Sequence, residues 1–194
     1  MRTGKTSSSH LPRLPAEPPG TPHVSEDHSS SLPPIVVLTT GGTIDKTYFD
    51  ALSKYQVGES VVQKLLELGR VTYPFRIIEA LRKDSLELTP EDREMLRAKV
   101  TELATTRVVI THGTDTMTET ARVLASIRDK TIVFTGSLSP ARFSESDASF
   151  NLGMAFATAQ IAPPGVYIAM SGQVFRADKV RKDHAAGRFV PLEA

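Results

Sequence analysis

A chain of 194 residues with 40% hydrophobic and 23% charged side chains can build one core of ordinary size, burying on the order of 70% of its unfolded surface. Its formal net charge of +1, with basic and acidic residues interleaved, offers no extended field and argues against nucleic-acid or membrane-surface binding. The absence of Cys removes disulfides, thiolate nucleophiles and zinc-thiolate sites, and with His10, His23 and His28 near the amino terminus only His112 and His184 remain for a His-built metal site or a serine-histidine triad.

Residues 1–34 end at Pro33-Pro34 and carry many Pro, Ser and Gly with few large apolar side chains. Such a stretch cannot bury enough surface to offset the entropy of ordering, so a disordered tail is expected, with residues 35–194 as the folded domain. Pro12-Arg13-Leu14-Pro15 and Pro15-Ala16-Glu17-Pro18 have the spacing of a polyproline ligand, a spacing common by chance. No apolar run approaches the roughly 20 residues of a membrane-spanning helix and no secretory signal precedes the domain, so a cytoplasmic location is expected.

From residue 35 onward, short apolar runs alternate with helical patterns. Strands are expected at 35–39, 73–79, 108–111, 131–135 and 165–170. Between them, 59–68 reads as a helix with Val62, Leu65 and Leu66 on one side and Gly69 as its stop. Thr89-Pro90-Glu91-Asp92 gives an N-cap, a proline at the first helical position and acids in the first turn, opening a helix to about residue 105. Thr116 with Glu119 has the spacing of a capping box for a helix to Ile127, and Ser146 or Asp147 starts a helix carrying Leu152, Phe156 and Ala159. Parallel strands need crossovers, so this alternation predicts a doubly wound, mostly parallel sheet with helices on both faces, a three-layer α/β fold.

Two hydroxyl-rich turns follow the first and third strands: Thr39-Thr40-Gly41-Gly42-Thr43-Ile44-Asp45 and His112-Gly113-Thr114-Asp115-Thr116. The carboxyl ends of parallel strands are where such sheets place ligands, so both threonines are offered to one cleft. Gly41-Gly42 permits positive φ and close approach of backbone to a ligand. The second turn joins a strand to a helix start, whose N–H groups suit a carboxylate or an oxyanion, although Thr and Asp at such positions commonly do no more than cap. A dinucleotide or phosphate loop is the competing explanation of the first turn. It fits poorly, because there is no G-x-G-x-x-G or G-K-[ST] and the next helix starts well downstream.

Together the turns resemble the two signatures of the bacterial-type L-asparaginases: Thr40-Gly41-Gly42-Thr43-Ile44 near the start and His112-Gly113-Thr114-Asp115-Thr116 later. The resemblance covers residues 35 to about 190, and implies the amino-terminal domain of that family in a short, single-domain form, with a flavodoxin- or Rossmann-like sheet and without the second domain that lends an acidic residue to the partner's site. It implies Tyr55 as the tyrosine beside Thr43 on a mobile loop, Ser85 as the serine for the substrate α-carboxylate, and Lys182 as the lysine grouped with Thr114 and Asp115. Without the resemblance, Lys179-Val180-Arg181-Lys182 reads as a solvated basic run. Leu86 stands where homologues often offer a polar side chain. Gly42, Gly113, Ser85, Leu86, Thr114 and Asp115 are therefore the expected substrate-binding set, and Thr43, Tyr55, Thr114, Asp115 and Lys182 the catalytic one.

Amide hydrolysis needs a nucleophile, a proton acceptor, an oxyanion site and a proton for departing ammonia. The resemblance implies hydrolysis of L-asparagine to L-aspartate and ammonia, with glutamine as a poorer substrate and no metal or cofactor. Either Thr43 or Thr114 can serve as the primary nucleophile, with Lys182 as a shared proton carrier. The alternatives are a catalytically weak amino-acid-binding domain serving an amidotransferase, and a flavodoxin-like nucleotide binder. A homodimer or higher homo-oligomer is expected, because the family's sites sit near contacts between subunits.

Overall fold

Apolar runs without polar alternation demand cover on both faces. Every residue of Ile35–Thr39 (β1) is buried, as is every residue of Thr131–Thr135. A computed structural model describes Met1, residues 32–49 and residues 54–192. Apart from Met1 and residues 32–34, the expected disordered tail lies outside the described residues. The other strands are β2 (Lys46–Phe49), β3 (Lys54–Val57), β4 (Phe75–Glu79), β5 (Arg107–Thr111), β6 (Thr131–Thr135), β7 (Gly165–Met170), β8 (Gln173–Arg176), β9 (Val180–Asp183) and β10 (Arg188–Pro191). The α-helices are α1 (Val62–Leu68), α2 (Pro90–Glu102), α3 (Met117–Val123) and α4 (Ala148–Ile161).

The main sheet has the order β4-β1-β5-β6-β7-β8, with the first five strands parallel and β8 antiparallel to β7 at the edge. Among the parallel strands this is the flavodoxin-like winding, and its direction reverses between β1 and β5. Alternation of side chains sorts the core into two layers. Val36, Leu38, Val108, Ile110, Ile132 and Phe134 pack with Leu96 and Val100 of α2 and Met117 and Ala121 of α3. Ile35, Val37, Val109 and Val133 pack with Val62 and Leu66 of α1 and Leu152, Ala155 and Phe156 of α4. Burying an aliphatic or aromatic residue fully is worth about 1.5–3 kcal/mol relative to exposure, which is why helices cover both faces.

Local signals explain the helix ends, with two corrections. Thr89 and Asp92 form a reciprocal capping box at α2 with Pro90 in the first turn. Thr116 does not complete the capping box read from Thr116 and Glu119. Its hydroxyl donates to the Ser85 carbonyl at 2.7 Å and accepts no backbone N–H, the Glu119 N–H bonding the Thr116 carbonyl at 3.1 Å, and the helix tightens to a 3₁₀ turn after Val123. At α1 Gly69 keeps right-handed geometry, and the left-handed residue of the stop is Arg70, with φ 49°.

Uninterrupted βα alternation is the third expectation to fail. Beyond β7 the chain turns at Gly172 and returns as β8, then forms the β9–β10 hairpin. A second hairpin, β2–β3, stands between β1 and α1. Both hairpins are short, and charged or polar residues make up half or more of β2 and β9, so pairing rather than apolar pattern defines them.

Candidate active site

Where the winding reverses, between β1 and β5, the loops after these strands stand at their carboxyl ends, the edge of the sheet where such folds take ligands. The first turn is tied to the second strand directly: Thr40 donates both its N–H (3.1 Å) and its hydroxyl (2.8 Å) to the Thr111 carbonyl. Gly41 and Gly42 follow with φ of 97° and 88°. A Cβ on Gly42 would lie 2.4 Å from the Gly113 nitrogen and 2.6 Å from its Cα, so the two turns meet backbone to backbone. Thr43, half-buried, then opens the 3₁₀ turn Thr43–Asp45.

Asp45 is buried, and its carboxylate accepts the Val61 N–H at 3.0 Å, holding the start of α1. Burial pushes its pKa above the ordinary carboxylate value, opposed by that bond and by the Ser60 hydroxyl. Lys46 comes next and pairs with Asp84 at 2.7 Å, joining the foot of the β2–β3 hairpin to the loop after β4. Asp84 also accepts the Leu86 N–H at 3.1 Å, capping the 3₁₀ turn Ser85–Glu87. Partial burial would raise the Asp84 pKa, but the bonds from Lys46 and Leu86 hold it below the usual range.

Ser85 is the residue that this loop delivers. It is 1% exposed, and its hydroxyl has no partner among the described residues. It faces Gly113 so closely that a Cβ there would lie 2.5 Å from the Ser85 oxygen. Buried hydroxyls are normally satisfied, and among the described residues those of Thr39, Ser85 and Thr111 are not, Ser85 being the one where the loop after β4 meets the second turn.

The second turn carries the polar cluster. Thr114 is nearly buried, and Lys182 from β9 reaches it across 68 residues of sequence: its Nζ donates to Thr114 Oγ1 at 2.7 Å and to Asp115 Oδ1 at 2.5 Å. The Lys182 side chain is 11% exposed, so the basic run is not a solvated face here. His184 Nδ1, on the same hairpin arm, stands 3.9 Å from Asp115 Oδ1. Gly42, Ser85, Gly113, Thr114, Asp115 and Lys182 are thus connected by direct contacts. Tyr55 and Leu86 line a neighbouring cleft of about 390 Å³, with the Tyr55 ring half exposed and edge-on to Phe143 at 6.3 Å between centroids.

One positioning relay joins His112, the first residue of the second turn, to two residues outside the motif, Thr120 and Arg93. His112 is fully buried; its Nδ1 lies 2.7 Å from the Gly113 carbonyl and its Nε2 2.9 Å from Thr120 Oγ1. A carbonyl only accepts, so Nδ1 carries the proton and Nε2 accepts from the Thr120 hydroxyl, which itself accepts from Arg93 Nε at 3.2 Å. The sequence places His112 at the head of the second turn but gives no sign of its partners Thr120 and Arg93. Burial, helped by the Arg93 charge, lowers the His112 pKa to about 4 despite the Gly113 bond.

A folded-state pKa below the ordinary 6.5 means that the unfolded protein binds the proton first as pH falls. The stabilising contribution of neutral His112 is complete above about pH 6.5 and is lost by about pH 4, a change of roughly 3 kcal/mol. Denaturant unfolding at pH 7.5 and 4.5 is expected to show this loss, with a shallower fall for His112→Gln; equal falls in both proteins would remove His112 as the cause.

Among the described residues, no group of three or more His, Cys, Asp or Glu side chains is placed to hold a metal ion. Among them, too, no helix is long and apolar enough to cross a membrane.

Residues 34–189 match the family model described as asparaginase, N-terminal. The L-asparaginase of Thermococcus kodakarensis is 32% identical over 159 residues, covering 79% of this chain and 48% of that protein. The glutaminase-asparaginase of Acinetobacter glutaminasificans is 32% identical over 166 residues, covering 76% and 49%. The D subunit of the glutamyl-tRNA(Gln) amidotransferase of Haloquadratum walsbyi is 30% identical over 174 residues, covering 81% and 39%. The solved thermostable L-asparaginase from Thermococcus kodakarensis superposes with a TM-score of 0.71 at 28% identity, covering 81% of this chain and 51% of that one. The protein thus spans about half the length or less of these relatives. With the family match running from just before β1 into β10, the chain belongs to the asparaginase family through its amino-terminal domain.

Proposed function

We propose that this domain hydrolyses the side-chain amide of L-asparagine to L-aspartate and ammonia, with glutamine as a poorer substrate. The observation that carries the reading is the Lys182 ammonium held at once by Thr114 and Asp115, beside the buried, unpartnered hydroxyl of Ser85. The matches to an L-asparaginase and a glutaminase-asparaginase support the amide class.

In this mechanism the substrate α-ammonium lies on Asp115 and its α-carboxylate accepts from Ser85. The Thr43 oxygen attacks the amide carbon, Tyr55 relays the Thr43 proton, and backbone N–H groups of the two turns stabilise the oxyanion. Ammonia leaves with a proton and an acyl-enzyme remains. Water then adds to the acyl carbon, the ester bond to Thr43 breaks to release aspartate, and the proton that the water loses passes through the Thr114, Lys182 and Asp115 group to the Thr43 oxygen. Because Lys182 donates to Thr114 Oγ1, the Thr114 hydroxyl proton points elsewhere and is free for transfer. Assembly as a homodimer or higher homo-oligomer belongs to the same reading and is tested by sedimentation with and without aspartate.

The match to an amidotransferase D subunit favours a second reading, a domain that binds an amide amino acid and works with a partner protein. Ammonia release by the purified protein separates the two. Turnover with asparagine, and slower turnover with glutamine, is expected; a folded protein that releases ammonia from neither leaves the second reading.

A further inference from the structure

The cleft beside the site is wider than one amino acid needs. At about 390 Å³ it lies within the range, roughly 300–1,000 Å³, of pockets that enclose larger ligands. The first turn packs directly behind it, since a Cβ on Gly41 would lie 2.6 Å from the Lys83 carbonyl and 2.7 Å from Val57 Cγ1, both cleft-lining residues. Its wall includes Asp84 and Leu86, the two neighbours of Ser85, so the cleft opens off the side of the site where Ser85 stands.

The lining has two characters. Leu86 is 72% exposed and, with Val57 and the half-exposed Tyr55 ring, gives the cleft an apolar side. Lys46 and Lys83 supply ammonium groups that are engaged, to Asp84 and Asp92, yet each has three N–H donors and remains partly exposed. Asp84 and Glu87 also line the cleft and repel a second acidic group inside it.

Resting on the proposed amide hydrolysis, we infer that the site takes asparagine in peptide linkage: a short peptide with amino-terminal asparagine followed by an apolar residue. The free α-ammonium lies on Asp115, and the asparagine carbonyl accepts from Ser85, whose neutral hydroxyl serves a peptide carbonyl as well as a carboxylate. The second residue of the peptide lies over Leu86, Val57 and Tyr55, and the terminal carboxylate faces Lys46 and Lys83. The chemistry balances as plain hydrolysis. The C–N bond of the asparagine amide breaks, the water oxygen bonds to that carbon, ammonia takes the protons, and the peptide bond stays intact.

The test compares ammonia release from L-asparagine, Asn-Leu, Asn-Asp and Leu-Asn, with thermal shift as a second readout. Asn-Leu is expected to have kcat/KM within tenfold of asparagine, with Asn-Asp and Leu-Asn at least tenfold worse than Asn-Leu. Leu86→Gln is expected to lower the ratio of Asn-Leu to asparagine kcat/KM by about tenfold, the effect of one apolar contact. Hydrolysis of asparagine with neither hydrolysis of Asn-Leu nor competition by it overturns the inference and leaves the amide reading standing. Should no substrate release ammonia, the amide reading fails, and the cleft is judged by binding: a melting shift with Asn-Leu that Leu86→Gln abolishes supports a peptide site, and no shift overturns it.

Discussion

Thr114→Val is expected to lower kcat for ammonia release from asparagine by about 10³-fold or more while the protein stays folded, an effect of about 4 kcal/mol on the barrier. Valine has nearly the shape of threonine, so at a position 5% exposed it leaves no cavity. What it removes is the oxygen that accepts from Lys182 at 2.7 Å. Lys182 keeps its bond to Asp115, so the stability cost is that of one charge-assisted hydrogen bond, about 1.5–3 kcal/mol. Loss of rate without loss of fold is the signature of a group used in the reaction rather than in the core. Thr43→Val, which removes the proposed nucleophile, is expected to be as damaging. Steady-state kinetics with a melting curve for each variant checks both, and activity within tenfold of the parent in both folded variants would remove the threonines from the mechanism.

Gly42→Ala is expected to destabilise the domain by roughly 3 kcal/mol or more and to abolish turnover. Two costs add. Gly42 has φ 88° and ψ −169°, a region almost reserved for glycine, which costs about 1–3 kcal/mol for any other residue. The new Cβ would also stand 2.4 Å from the Gly113 nitrogen, and backbone cannot rotate away as a side chain can. Relief requires the turns to separate, which shifts Thr43, the next residue, relative to the second turn. Gly153→Ala in α4 is the contrast, since a Cβ there meets nothing within 4 Å and helix propensity favours it by up to about 1 kcal/mol. Denaturant unfolding of both variants reads the difference; a loss below about 1 kcal/mol for Gly42→Ala would contradict the packed turns.

The core of this fold was legible because burial on two faces leaves a plain mark. The runs at 35–39, 131–135 and 165–170 become strands with those bounds, and Thr89-Pro90-Glu91-Asp92 opens a helix as its chemistry dictates. Lys46–Phe49 and Val180–Asp183 carried no such mark. Each is four residues long and half or more of it polar or charged, and each is a strand only because a partner lies alongside. The Lys182 strand pairs with Arg188–Pro191, where Phe189 is buried. Pairing of that kind is a tertiary fact, invisible to local periodicity.

The site divides in the same way. The turns were legible as glycine and threonine clusters after strands, and Ser85 and Lys182 through family resemblance alone. The Arg93–Thr120–His112 relay was not, because its members lie 27 and 8 residues apart and no spacing rule joins them. Thr116 misled for the opposite reason: its spacing to Glu119 fits a capping box, but its side chain is held toward the loop after β4 by its bond to the Ser85 carbonyl.

The proposed chemistry turns on one arrangement, two threonine turns surrounding a single amino-acid ligand. A crystal structure of the protein soaked with L-aspartate tests it most directly. The expected result is aspartate between the turns, its ammonium on Asp115, its α-carboxylate within hydrogen-bond distance of Ser85, its side-chain carboxylate between Thr43 and Thr114, and Lys182 still bonded to Thr114. Aspartate bound elsewhere, or bound with Thr43 and Thr114 on different sides of the molecule from it, would contradict that arrangement.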